Sequence, residues 1–206
     1  MSTEIEQCKL MFDKNIERVQ SLIKIYDSLK KNREAKEQRD SKFTDILRAA
    51  VVLLHSSFEE YFRTILKIIV PKTCDKDDLK KMSFHDSQGN FREKIGVSDL
   101  IEFRDKKVEE LITNSIKGEL RLSSFGNYNN IATWAKKAKI DLEEFKGQEQ
   151  LNKLITRRHK IVHEADRANS SEGYTLTKID KNTVENWTEI VCNLVEIINK
   201  GIPGDL

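Results

Sequence analysis

The fourteen residues LITRRHKIVHEADR, from Leu154 to Arg167, hold the side chains of this chain best suited to anion and acid–base chemistry. Arginine binds phosphate through paired N–H donors, and histidine exchanges protons near neutral pH. At about 100° per residue, Arg158 falls inside an apolar stripe, with His159 and His163 along its edge. A permanent charge on a core-facing stripe is costly unless a partner or ligand meets it. Arg158 is therefore the first candidate for function.

The apolar stripe around Arg158 is formed by six residues of this helix, namely Leu151, Leu154, Ile155, Ile161, Val162 and Ala165. The same helical spacing predicts that Arg157 and Lys160 point towards solvent. Together with Arg167 they are expected to form an ordinary solvated surface near a helix C-terminus, where cations suit the helix dipole.

A metal site is the first alternative for the two histidines. His159 and His163 are one helical turn apart, and Asp166 could supply a third ligand. However, no glutamate lies between the histidines as in HExxH, no cysteine is near, and the basic neighbours would repel a dication. We therefore favour a site with no metal and no cofactor.

Phosphate chemistry suits these residues better. RNA carries its own nucleophile, the 2′-hydroxyl, so a base to deprotonate it and a cation to stabilise the phosphate suffice for strand cleavage. The chain contains no GxxxxGK[ST] loop, no GxGxxG and no GxSxG motif that would compete as a site.

Apolar residues at helical spacing predict an all-α protein in which this segment is one of several helices. A long core helix is expected to stop at Pro71, because proline lacks the N–H that continues a helix. Ser98 is expected to cap a helix that ends before Gly118, and Asp141 with Glu144 forms a capping-box pattern. The predicted helices span about 3–36, 41–71, 98–116, a short segment ending near 138, 148–166, and 182–200; a token strand is possible at 174–177.

Composition supports one helical domain over residues 1–206, with a loop-rich excursion at 72–97. Hydrophobic residues make up 38% and charged residues 34%, and the net charge is +2, which excludes a strongly cationic nucleic-acid binder. Three separated cysteines without a CxxC pair favour a reducing compartment. The polar N-terminus and the lack of a long apolar run predict a cytoplasmic protein without a membrane span.

The segment RRHKIVHEAD resembles the Arg-x4-6-His motif of HEPN domains, with Arg158 and His163 as the motif pair and His159 in the polar position after the arginine. The segment RAAVVLLHSSFEEYFRTIL is similar to an apolar helix of the RiboL-PSP-HEPN subgroup, with Glu59 and Tyr61 in matching places. The resemblance spans roughly residues 42–200 and includes the closing helix.

The resemblance implies a HEPN-like helical bundle with a long core helix and a C-terminal closing helix. It also implies a homodimer whose two motif helices form one composite cleft. Such domains are commonly metal-independent endoribonucleases that act as toxins or phage-defence effectors. By analogy, His163 would activate the 2′-hydroxyl, Arg158 would bind the phosphate, His159 would assist, and Glu59 would hold Arg158 in place.

A second interpretation is a non-catalytic HEPN dimer that binds nucleotide or a partner protein. The near-neutral net charge gives little electrostatic drive for RNA binding, and the charged extension around residues 30–40 could dock a partner. For a toxin, the expected partners are the RNA substrate and an antitoxin or another defence-system protein.

Overall fold

The computed structural model describes residues 3–31, 40–86, 90–93, 95–168 and 175–204. It confirms the all-α class, because the only sheet in the described residues is a hairpin of two short strands. The elements are α1 Thr3–Lys31, α2 Asp40–Thr73, α3 Lys76–Leu79, β1 Phe84–His85, β2 Phe91–Arg92, a 3₁₀ helix Asp99–Phe103, α4 Val108–Leu122, α5 Tyr128–Lys137, α6 Gln148–Glu164 and α7 Lys181–Lys200.

Helix α2 is the central element, as predicted. It packs against α1, α4, α5, α6 and α7, and its residues from Leu47 to Val70 supply much of the buried core. Helix α1 covers one side of α2 with apolar residues at threes and fours, from Ile5 to Tyr26. The predicted continuation of α1 to residue 36, and most of the charged extension, lie outside the described residues.

The prediction that Pro71 ends the core helix was wrong, because α2 continues to Thr73. Proline removes one hydrogen bond, but the residues beyond it can still bond backwards. The amide of Cys74 donates to the Val70 carbonyl at 3.0 Å, and the Thr73 hydroxyl contacts the Lys137 carbonyl at 3.0 Å. These contacts close the last turn and tie it to the end of α5.

The region after α2 contains more secondary structure than predicted, namely α3, the hairpin and the 3₁₀ helix. The prediction of one helix over residues 98–116 was wrong. A 3₁₀ helix follows Ser98, with Leu100 and Ile101 exposed, and α4 begins only at Val108. Gly118 does not end α4 but lies within it. A Cβ at Gly118 would overlap the ring of His85, so the glycine lets the hairpin approach α4 closely.

Two smaller boundary predictions also changed. Asp141 accepts a hydrogen bond from the Glu143 amide at 2.8 Å in a turn, so the capping-box pattern opens no helix there. Asp180 caps α7 by accepting from the Thr183 amide at 2.9 Å, so the helix begins at Lys181, one residue before the predicted start. In the segment before α7, Leu176 forms an isolated bridge with Arg167, and residue 174 lies outside the described part.

The C-terminal end of α6 is held by a buried ion cluster, which we call the Asp166 clamp. Helix α6 ends at Glu164, and Ala165 and Asp166 adopt left-handed backbone angles, with φ of 49° and 55°. This reversal places Asp166, only 1% exposed, between two arginines. Arg48 Nε and Arg157 Nη2 donate to its Oδ2 at 2.6 and 2.8 Å, and both arginines also donate to the Thr177 carbonyl.

The clamp overturns the prediction that Arg157 faces solvent. Its side chain is only 12% exposed, because the turn after α6 brings Asp166 back beneath it. The predicted apolar stripe is also shorter than expected. Leu151, Leu154 and Ile155 are buried, whereas Val162 is 46% exposed and Ala165 belongs to the turn.

Replacing Asp166 by alanine should lower the free energy of unfolding by about 3–5 kcal/mol, because two largely buried guanidinium groups would lose their counter-charge. Asp45→Ala is the matched control, since Asp45 also pairs with Arg48 but is exposed, and should cost at most about 1 kcal/mol. Urea unfolding of both variants measures the difference. Equal losses would show that the clamp does not stabilise the fold in this way.

Candidate functional site

A polar pocket of about 320 Å³ lies where α2, α6 and the α4–α5 loop meet. We call it the Arg158 pocket. Helix α6 contributes Arg158 and His159, α2 contributes two ionisable side chains, and the loop supplies the remaining wall. The lining residues are His55, Glu59, Ser124, Phe125, Gly126, Ile155, Thr156, Arg158 and His159.

Arg158 is the strongest anion-binding group of this pocket. Leu154 and Ile155, one turn earlier, are buried and fix the helix against the core, so the half-buried Arg158 is directed to the pocket. Its Nε is buried without a hydrogen-bond partner among the described residues. In the same part of the chain Arg158 forms no ion pair, in contrast to its neighbour Arg157. The guanidinium is therefore available to a ligand that carries negative charge.

His159 and His163 form a pair of adjacent, tilted imidazoles at the exposed side of α6. Their ring centroids are 4.6 Å apart, with 42° between the ring planes. His159 lines the Arg158 pocket, but His163, one turn further on, does not. One chain thus brings Arg158 together with His159, and His159 together with His163. It does not bring Arg158 and His163 into one pocket.

Glu59 lines the same pocket but is bonded to Arg63, whose Nη2 donates to its Oε1 at 2.9 Å. Arg63 also donates to the carbonyls of Leu120 and Ser123, and its guanidinium lies 4.8 Å from the Phe125 ring centroid. The pair therefore ties α2 to the loop that forms the pocket wall. Within the described residues no hydrogen bond joins Glu59 to Arg158, so a direct supporting role for Glu59 stays a prediction.

The family model of RiboL-PSP-HEPN matches residues 13–203, almost the whole chain. The chain belongs to this HEPN family. HEPN domains include RNases and nucleotide-binding modules, and they often bind RNA and dimerise. No curated protein and no solved structure matches the chain. In its described part, no helix of this HEPN domain is long and apolar enough to cross a membrane.

His55 is a residue of the Arg158 pocket that sequence reasoning missed. It is 4% exposed, and both ring nitrogens are buried without a hydrogen-bond partner in the described part of the chain. Burial lowers the pKa of His55 to about 4 and Arg158 acts in the same direction, although the Glu59 carboxylate, 3.7 Å away, favours the charged form. His55 is therefore neutral at pH 7. The sequence signal that could have identified it is its position on α2, one helical turn before Glu59.

The metal alternative fails at Asp166. This carboxylate is buried in the clamp between Arg48 and Arg157, so it cannot join His159 and His163 around an ion. Across the ranges that the structure describes, no group of three or more His, Cys, Asp and Glu side chains is arranged to hold a metal.

The buried neutral His55 makes stability depend on pH. The unfolded chain binds a proton at this histidine near pH 6.5, while the folded protein does not until about pH 4. Folding stability should therefore fall as the pH drops from 6.5 to 4, by up to about 1.4 kcal/mol per unit from this group.

The measurement is the free energy of unfolding of wild type and His55→Gln from about pH 7 to about pH 4, a range that spans the ordinary and the lowered pKa values of His55. The variant should lose stability less steeply than wild type. Parallel curves would mean that His55 is not held neutral.

Proposed function

We propose that the protein is a metal-independent endoribonuclease whose reaction depends on Arg158, His163 and His159. The observation that carries this proposal is the Arg158 guanidinium, which lies in a polar pocket without an ion-pair partner in the described residues. His159 lines the same pocket, and its ring is adjacent to that of His163. Family membership supports the same conclusion, since HEPN domains include RNases.

In the proposed reaction, His163 accepts the proton of a ribose 2′-hydroxyl, and the 2′-oxygen attacks the adjacent phosphorus. The bond from phosphorus to the 5′-oxygen breaks, which leaves a 2′,3′-cyclic phosphate and a 5′-hydroxyl. Arg158 stabilises the charge on the phosphate oxygens, and His159, in its protonated form, supplies a proton to the leaving oxygen. Glu59 acts indirectly, through Arg63 and the pocket wall.

A homodimer would complete this site. Arg158 and His163 diverge by about 140° on a straight helix, and only Arg158 lines the pocket. The surface of α6 beside His163 includes Val162, which is 46% exposed. If α6 of two copies face each other across a two-fold axis, His163 of one copy reaches the phosphate held by Arg158 of the other.

The cellular role that fits such an enzyme is that of a toxin or phage-defence effector. An RNase that needs no metal is active whenever it meets RNA, so a cell must restrain it with an antitoxin or another defence-system partner.

Induced expression of wild type should arrest growth, and Arg158→Ala should relieve the arrest. Equal growth arrest by wild type and Arg158→Ala would contradict the proposed role as a toxin or phage-defence effector.

Wild type should cut single-stranded RNA in the presence of EDTA. His163→Ala should lower the rate about 10²- to 10⁴-fold through loss of the base, and Arg158→Ala about 10²- to 10³-fold through loss of charge stabilisation. Arg18→Ala, which removes an exposed arginine of α1, is the control and should cut normally. Mapping of product ends should show cyclic phosphates.

Two outcomes would overturn the nuclease proposal: intact RNA at high protein concentration, or an unchanged rate for His163→Ala. Intact RNA would favour the other candidate, a non-catalytic HEPN dimer that binds nucleotide or a partner protein, to which the low net charge of +2 also points.

Mixing two inactive variants tests the composite site. In a heterodimer of Arg158→Ala and His163→Ala, one of the two Arg158–His163 pairs of the composite cleft combines an intact arginine with an intact histidine. An equal mixture that exchanges subunits should recover up to about a quarter of the wild-type rate. If both residues acted within one chain, no mixture would recover activity.

A further inference from the structure

A second pocket, of about 540 Å³, lies between α6, α7 and the segment at 177–179. We call it the Trp187 pocket. Its volume falls in the range of pockets that hold small organic ligands. Nothing in the proposed chemistry of the Arg158 pocket uses it.

Two buried hydrogen-bond donors of the Trp187 pocket lack acceptors. Trp187 is 6% exposed, and its Nε1 has no hydrogen-bond partner in the described part of the chain; the same holds for Nε of Arg157. An unpaired buried donor destabilises the fold, because it has lost its hydrogen bonds to water. A ligand that offers oxygen or ring-nitrogen acceptors would relieve this cost.

The charge of the pocket is positive. Lys153 and Arg157 already have carboxylate partners, Glu149 at 2.7 Å and Asp166 at 2.8 Å. Lys160 and Lys178 also line the pocket, and neither forms an ion pair with the residues that the structure describes. The two free ammonium groups favour a ligand with a phosphate.

The Trp187 pocket adjoins the Arg158 pocket. Thr156 lines both, and Lys160 follows it by one helical turn on the side of the Trp187 pocket. A strand whose phosphate is held at Arg158 would reach Lys160 by crossing α6 at Thr156. An aromatic ring, unpaired donors and lysines in one groove are the groups that hold single-stranded nucleic acid.

We propose that the Trp187 pocket holds a nucleotide of the RNA strand next to the cleaved phosphate. Lys160 and Lys178 bind its phosphate, and the base enters against Trp187, where the indole N–H and Arg157 Nε donate to its acceptors. This inference rests on the proposed nuclease function, because that function places the strand at Arg158.

Binding can be measured without cleavage by using short 2′-O-methyl RNA, which lacks the attacking hydroxyl. Trp134 and Trp187 are the two tryptophans, so Trp134→Phe leaves Trp187 as the fluorescent reporter. Saturating RNA should change its emission. Lys160→Gln and Lys178→Gln should each weaken binding and reduce the salt slope of log K by about 0.7, the value for one phosphate contact on a single strand.

Lys14→Gln is the matched control, because Lys14 is an exposed lysine of α1, which packs on α2 and α7. Trp187→Phe keeps an aromatic ring but removes the indole N–H, and should bind RNA more weakly than wild type. If it does not fold, the lysine variants still decide. Unchanged Trp187 emission, or lysine variants that behave like Lys14→Gln, would overturn the subsite.

The two proposals fail in different ways. On cleavable RNA, Lys160→Gln and Lys178→Gln should raise KM and leave kcat nearly unchanged. Cleavage by wild type with no change of KM in these variants would refute the subsite and keep the nuclease. If wild type binds RNA without cutting it, and the two lysine variants bind it more weakly, the subsite is kept and the nuclease proposal is refuted.

Discussion

The Asp166 clamp determines how α6 presents its basic residues. Two guanidinium groups share one buried carboxylate oxygen, at 2.6 and 2.8 Å, and a second acceptor, the Thr177 carbonyl. Such a cluster is stable only when all its members are present, because any one of them alone would be a buried, uncompensated group. It fixes the turn after α6, and with it the rotation of the helix.

The consequence is that adjacent arginines have opposite roles. Arg157 is neutralised within the clamp, whereas Arg158, about 100° further around the helix, keeps its charge for the pocket. The walls of that pocket are arranged accordingly. Glu59 is bonded to Arg63 rather than to Arg158, and His55 is held neutral by burial. Neither group cancels the positive charge that a phosphate would need.

The sequence predicted the helical class, the core helix and the unusual position of Arg158, a charged residue on a core-facing stripe. These predictions were possible because helical periodicity and the cost of buried charge are local properties. It failed for Arg157, whose partner Asp166 returns through a left-handed turn formed by Ala165 and Asp166 themselves. Alanine and aspartate give little warning of such a turn, which glycine usually occupies. The role of Gly118 was missed for a similar reason, since it depends on where His85 of the hairpin packs.

The arrangement of α6 also explains how a chain of nearly neutral net charge can be suited to RNA. With 36 basic and 34 acidic residues, the overall field supplies little attraction. Local separation supplies it instead. The acidic partner of Arg157 is buried in the clamp, while Arg158 lines one pocket and Lys160 the other, on either side of Thr156. A strand that crossed this helix as proposed would therefore meet positive charge along its path, and its affinity would depend on a few contacts rather than on the whole surface.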